Sequence, residues 1–386
     1  MSSNKKLRFG MFMPPLHRPG LNPDVALRND MEIIEHLDRL GYDEVWVGEH
    51  HSGGVELIDS PELFIAAAAE RTKHIKLGTG VASLPYHHPF NLAQRIVQLD
   101  HMTRGRIMFG AGPGQLISDA AMYGIDSTQL RPRMHEALDV ILRLFRGETV
   151  TRHTDWFMCN EARLHLLPYS DFDVVVTAAI TPSGPTLAGR HGVGMLTLSA
   201  TNPQTVEALE GQWKIAEESA REHGKTVSRN QWRTVGIVHL APTMEEARRD
   251  VYHGFDQIFH YLRHIIPAAM PPKTATVDEL IDIVNETGLG VIGTSEQAAK
   301  GIQRLIDMSG GFGAFLIQGA DFASHSATLR SLSIFAEEVV PQFTGFSAPT
   351  LDSFERFVGS ETHVEQVQAG LTAAFEQHAV RSAPPK

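Results

Sequence analysis

A closed (β/α)8 TIM barrel is the fold this chain predicts, and two observations carry the prediction. From Leu7 to Val340, eight short apolar runs alternate with helix-length stretches, the order that builds a parallel sheet with right-handed crossovers. The clearest runs, Ile75 to Val81 and Arg106 to Phe109, show no polar stripe, as expected of strands covered on both faces. An open, doubly wound sheet is the competing architecture, because spacing alone does not show closure.

The elements follow in order. Leu7 to Met13 is the first strand, ending at Pro14 and Pro15. Asn22 caps a helix with Pro23 at its first position, and Gly41 stops it. Glu44 to Val47 is the second strand, followed by the loop Gly48 to Gly54; Ser60 and Pro61 open the helix that reaches Arg71. Ile75 to Val81 is the third strand. Pro89 opens a helix with Phe90, Ala93, Ile96 and Val97 on its apolar face, and Arg106 to Phe109 runs into the glycine cluster Gly110 to Gly114.

A helix from Arg131 to Phe145 comes next, then an excursion from Gly147 to Pro168 that alternates like a hairpin. Asp173 to Ala178 and Gly194 to Leu198 are strands five and six, with a helix from Pro182 to Arg190 between them. A long amphipathic helix spans Pro203 to His223, and Trp232 to Leu240 is strand seven. Met244 to Ile266 is helical at first, MPPKTAT (Met270 to Thr276) breaks it, and Val277 to Asn285 resumes. Ser295 caps Glu296 to Met308, Ala314 to Gln318 is strand eight, and a last helix, Ala327 to Val340, ends before Pro341.

This division gives a barrel domain, 1–343, with an insertion at about 256–293, and a C-terminal extension, 344–386. The extension holds one helix, Val364 to His378, and either straps its own barrel or meets a partner subunit.

Composition narrows the functional classes. Lys and Arg total 34 against 45 acidic residues, a formal charge of −11, which argues against nucleic acid or an anionic membrane as partner. The single cysteine, Cys159, excludes an intrachain disulfide and a cysteine-cluster metal site. Met1 to Lys6 are polar and no run approaches the roughly 18 apolar residues of a spanning helix, so a cytoplasmic setting is expected.

Binding sites of such barrels lie where the strands end. After strand two come Glu49, His50 and His51. Neighbouring loop histidines cannot readily ligate one ion, and no HExxH spacing exists, so a metal is not expected. An imidazole suits proton transfer or hydrogen bonding to a bound group; the plainer alternative is that the histidines only order the loop. After strand three come Tyr86, His87 and His88, of which His88 is placed to cap the helix at Pro89. Glycines 110 to 114 would let a planar ligand approach the backbone. Thr181, Ser183 and Gly184 open a helix and could offer hydroxyls and free amides to a phosphate, or simply cap it. The cluster from Tyr252 to His264, with Phe255 and Phe259, either lines a substrate pocket or packs as one helix face.

Three separated blocks carry a resemblance: DEVWVGEHH from Asp43, IKLGTGVASLPYHHPFNLAQRIVQLDHMTRGRIMFGAGPG from Ile75, and TPSGPTLAGRHGVG from Thr181. In order and spacing they resemble the bacterial-luciferase-like family of flavin-dependent monooxygenases, and within it the limonene 1,2-monooxygenase type. The resemblance implies a homodimeric or homotetrameric TIM barrel that binds reduced FMN or FAD at the C-terminal rim. It implies reaction with O2 through a C4a-(hydro)peroxyflavin, reduced flavin delivered by a separate NAD(P)H:flavin reductase, and a small apolar substrate such as a terpene-like alkene or ketone. Epoxidation, hydroxylation and Baeyer–Villiger insertion all fit that machinery.

Residue by residue, the resemblance makes His50 the active-site histidine, with Glu49 beside it. It places a non-prolyl cis peptide at Gly80–Val81 behind the flavin ring, and flavin phosphate against Thr181, Ser183 and Gly184, with His191 completing that wall. Met13 and Gly112 join the cofactor site; Tyr86, His87, Phe255 and Phe259 join the substrate site. Gly112 stands where luciferase has a reactive cysteine, and Pro113 where it has an arginine, so the phosphate must find another charge. An F420-dependent oxidoreductase of the same fold and a non-catalytic flavin-binding protein are the alternatives.

Overall fold

Parallel pairing runs all the way round. In the computed structural model, which describes residues 6–179, 181–198, 206–265 and 273–381, the ring follows chain order. Its strands are β1 (Arg8–Leu16), β2 (Glu44–Val47), β3 (Lys76–Thr79), β4 (Ile107–Gly112), β5 (Val174–Ala178), β6 (Gly194–Thr197), β7 (Trp232–Leu240) and β8 (Ala314–Ala320). Each pairs with the next, and β8 returns to β1 with Arg8 beside Ala314, so the eight-stranded barrel is closed.

The helices between and after these strands are α1 (Pro23–Leu40), α2 (Pro61–Arg71), α3 (Pro89–Thr103), α4 (Ile117–Met122), α5 (Leu130–Phe145), α6 (Ser183–His191), α7 (Leu209–Glu222), α8 (Met244–Val251), α9 (Phe255–Ile265), α10 (Val277–Thr287), α11 (Ser295–Ser309) and α12 (His325–Ile334). Local chemistry sets their ends. Asn22 accepts from the Asp24 amide, and Gly41 closes α1 in the left-handed conformation at φ 78°. His88 caps α3 by accepting from the Phe90 amide. The expected hairpin is present as Val150–His153 against Met158–Ala162. Pro203, Ile266 and Met270 to Pro272, which bear on the expected long helix and on the break after Met244–Ile266, lie outside the described residues.

Several elements differ from expectation; among them, Thr294 rather than Ser295 is the N-cap of α11, and α4 was not expected. β1 continues through Pro14 and Pro15 to Leu16, because its register with β8 shifts between Phe12 and Leu16 and asks no ladder hydrogen bond of the prolines. A further parallel strand, Gly290–Gly293, lies outside the ring. β7 is nine residues long, so Arg233 to Gly236 pair with β8 while Ile237 to Leu240 pair with this added strand. Two glycines in four residues hid it. After α12 the helix does not stop before Pro341: a π turn, Phe335–Val339, leads into Val340–Thr344, its wider ladder accommodating the proline ring. Beyond Thr344, the described residues of the unit Pro341–Lys386 hold Ala348–Val358 and Glu361–Arg381 where one helix was expected; the first opens on Ala-Pro-Thr, a composition that reads as loop.

The N-terminal end of the barrel interior is polar. Arg233 at the start of β7 is buried between Glu44 of β2 and Asp173, and its guanidinium lies 5.2 Å from the Trp46 ring centre. Apolar packing continues outward beneath α9, where Phe255 and Phe259 are fully buried and meet edge-tilted at 4.8 Å.

Candidate active site

The C-terminal strand ends open onto a cavity of about 570 Å³, within the roughly 300–1,000 Å³ of small-molecule sites. Apolar lining comes from Phe12 of β1, Val81 after β3, Val176 of β5 and Leu198 after β6. Polar lining comes from Ser127, Thr128 and Arg131 near the start of α5 and from Thr181 and Ser183 at the start of α6. Glu49 and His50 reach the cavity from the loop after β2.

Small residues shape the floor. The Gly80–Val81 peptide is cis, and a Cβ on Gly80 would lie 2.7 Å from Trp46 Cβ. A Cβ on Gly112 would overlap the Cγ2 of Val81, so glycine at the end of β4 leaves Val81 its place on the wall. The Thr79 hydroxyl donates to the Gly110 carbonyl at 2.9 Å and accepts from the Gly110 amide at 3.0 Å, tying β3 to β4 just beneath.

Two charged knots sit at the rim. Glu49 is buried and accepts from His51 Nε2 at 3.0 Å, His87 Nε2 at 2.8 Å and the Ser83 amide at 2.7 Å. Burial opposes its charge, but these donors outweigh burial and hold its pKa below the ordinary carboxylate value. Arg95 Nη2 lies 3.2 Å from His87 Nδ1, so both ring nitrogens of His87 are engaged. His50 stands between two carboxylates, with Nε2 2.9 Å from Glu56 Oε2 and Nδ1 3.4 Å from Asp119 Oδ2. Burial works against its charge, yet Glu56 and Asp119 prevail and raise its pKa to about 10.

The family profile described as "Luciferase-like monooxygenase" matches residues 7–310. Limonene 1,2-monooxygenase of Rhodococcus erythropolis is 51% identical over 376 residues, covering 97% of this chain and 95% of that protein. The chain belongs to the luciferase-like monooxygenases. It is thus an enzyme, a flavin-dependent monooxygenase related to the limonene enzyme. The 4-hydroxyprotoasukamycin monooxygenase of Streptomyces nodosus subsp. asukaensis is 42% identical, covering 88% of this chain and 93% of that protein. Among solved structures, the oxygenating constituent of 3,6-diketocamphane monooxygenase from Pseudomonas putida, in complex with FMN, matches with TM-score 0.72 at 22% identity, over 88% of this chain and 99% of that one. That likeness shows the fold.

Within this monooxygenase, the cavity brings together Glu49, His50, Gly80, Val81, Thr181, Ser183 and Gly184 of the residues singled out in the sequence. α6 has no side-chain cap, so neither Thr181 nor Ser183 is spent on its N-terminus. Gly112 lies beneath, against Val81. Other residues sit elsewhere. Met13 lines a separate narrow cleft with Leu16, His17 and Asp321. His191 ends α6, at the opposite terminus from Ser183, where burial lowers its pKa to about 4. Phe255 and Phe259 face the core because the apolar stripe of α9 is what packs on the barrel. His87 has both ring nitrogens engaged. The Tyr86 ring stacks on Tyr123 at 4.7 Å, with its hydroxyl buried beside Gly114.

Arg131 is the cation the sequence reading lacked. It comes from the first turn of α5, away in the chain from Pro113, and only folding brings it into the same cavity as Thr181. Asp119 and Glu56 escaped for a related reason: α4 is too short to show a period, and Glu56 lies in an irregular segment.

Proposed function

We propose that this enzyme uses reduced FMN and O2 to place one oxygen atom in a small apolar substrate, such as a terpene-like alkene or ketone. The observation that carries the reading is the cavity's mixed lining: apolar Phe12, Val81, Val176 and Leu198 together with hydroxyls and a guanidinium from Ser127, Thr128, Arg131, Thr181 and Ser183. That pattern fits a planar ring joined to a phosphate. Arg131 would pair with the phosphate, aided by the open N-terminus of α6, while Val81 supports the ring. Reduced flavin, when bound, supplies the electrons that activate O2.

The chain's own residues do the rest. Phe12, Val176 and Leu198 exclude water and hold an apolar substrate by burial. His50, flanked by carboxylates, presents a cationic ring whose charge would favour negative charge developing on oxygen near the flavin. The limonene monooxygenase at 51% identity supports the substrate class. Reduced flavin would come from a separate NAD(P)H:flavin reductase, and the enzyme would work in the cytoplasm as a homodimer or homotetramer. No helix among the described residues is long and apolar enough to cross a membrane.

Supplying reduced FMN, FAD or F420 with a panel of alkenes and ketones tests the proposal. Oxygen uptake coupled to product with FMN is expected. Turnover of F420 without oxygen uptake, or flavin binding with no oxygenated product from any substrate, would overturn it.

A further inference from the structure

Glu56 is held from two directions before it meets His50. Its backbone forms an isolated antiparallel bridge with Leu16 at the end of β1. Its Oε1 accepts from the Tyr261 hydroxyl at 3.2 Å, and Oε2 lies 2.9 Å from His50 Nε2. Tyr261 belongs to α9, within the stretch between β7 and β8. Its ring crosses the histidine loop at Gly53, φ +82°, where a Cβ would meet the hydroxyl at 2.8 Å.

The opposite ring nitrogen faces Asp119 at 3.4 Å, a looser approach. Asp119 is also engaged by the Ser52 hydroxyl. Around Asp119 and Glu49 lie His51, Tyr86 and Tyr123, and no Lys or Arg forms an ion pair with Glu56 or Asp119 among the described residues. A neutral imidazole carries one proton and one lone pair. Between two carboxylates it would turn that lone pair on an anion; only the doubly protonated ring is attracted to both, at ion-pair distance, with Nδ1 and Glu56 Oε2 making no hydrogen bond of good geometry.

We infer that Glu56, held in place by Tyr261, is a positioning residue that keeps His50 doubly protonated at the cavity edge, so that a helix outside the barrel ring sets the charge of the active-site histidine. His50 then enters the reaction as a cation whose charge favours negative charge developing on nearby oxygen, rather than as a base. The consequence for catalysis rests on the proposed role of His50 in oxygen transfer, whereas the coupling of Glu56 and Tyr261 to its charge does not.

Nuclear magnetic resonance of protein carrying 15N-labelled histidine, titrated without flavin, reads that coupling directly; a His50→Gln variant identifies the signal. The wild-type ring should keep its doubly protonated signature past pH 9. Glu56→Gln should lower the midpoint by at least about one pH unit, tenfold in proton affinity. Glu56→Asp should restore most of it, and Tyr261→Phe, which keeps the ring and removes only the hydroxyl, should shift it less in the same direction. Failure of oxygenation would leave these shifts intact and so separate the two proposals. In turnover, Glu56→Gln should lose product per reduced flavin at alkaline pH where wild type does not, with little change in the flavin concentration required. An unmoved His50 midpoint in Glu56→Gln, or in Tyr261→Phe should the first variant not fold, overturns the inference; a shift in Glu56→Gln alone overturns the part assigned to Tyr261.

Discussion

Arg233 and Glu44 face each other inside the barrel, Nε to Oε2 at 3.0 Å, each with only 1% of its side chain exposed. Arg8 reaches the other oxygen of Glu44 at 3.0 Å, and Asp173 takes a second edge of Arg233. Burial raises the cost of the Glu44 charge, but the two arginines overcome it and lower its pKa. Arg233→Ala would leave Glu44 buried and Asp173 half-buried with a shared counter-charge gone, a loss of about 3–5 kcal/mol. Urea unfolding measures this; a change below about 1 kcal/mol would show the network to be dispensable. Since the folded pKa of Glu44 is depressed, its contribution is complete above its unfolded value and fades as pH falls through the folded one.

His50→Ala should lower product per reduced flavin more than it weakens flavin binding, because His50 is one of many residues that line the cavity. Single-turnover yield and flavin fluorescence titration separate the two effects. Equal losses would show that His50 merely orders its loop.

Arg131→Ala should weaken FMN binding about tenfold, the scale of one hydrogen bond to a charged group reduced by exposure to solvent. Riboflavin, which lacks the phosphate, should bind wild type and variant alike. A similar loss for both ligands would place Arg131 away from the phosphate. The FMN effect should also shrink as salt is raised.

Gly112→Ala should displace Val81, since the added methyl overlaps its Cγ2. Overpacking of this kind costs about 1–3 kcal/mol. Thermal unfolding should register it, and flavin affinity should fall with the distorted wall. Unchanged flavin affinity would mean that Val81 does not support the ring.

Two buried histidines make stability fall at alkaline pH. His17 lies 3.0 Å from Asp30 and 3.2 Å from Asp321; burial opposes its charge, but both carboxylates raise its pKa to about 10, the same value as His50. A raised folded pKa gives stability that is complete below the unfolded value near 6.5 and is lost as pH climbs through 10. Melting temperature should therefore decline between pH 7 and pH 10, and His17→Asn should flatten part of the decline. A rising melting temperature over that range would contradict both assignments.

Capping residues, proline positions and the spacing of apolar runs were readable in the chain, because each acts over a few neighbours: Asn22 with Asp24, His88 with Phe90, and the uninterrupted apolar face of α3. Glu49, His50, Thr181 and Ser183 were equally visible, since the ends of parallel strands are where a barrel places its chemistry. Gly290–Gly293 was not, because a four-residue strand with two glycines has no period of its own.

The chain alone therefore determined the kind of element at nearly every position and the loops that would meet at one end. Closure, and the partner of each charge, came only from the tertiary structure. Arg131 in the same cavity as Thr181, Tyr261 on Glu56 from 205 residues away, and Phe255 turned into the core depend on how distant elements pack. Local backbone preferences do not specify which remote side chain will share a buried space.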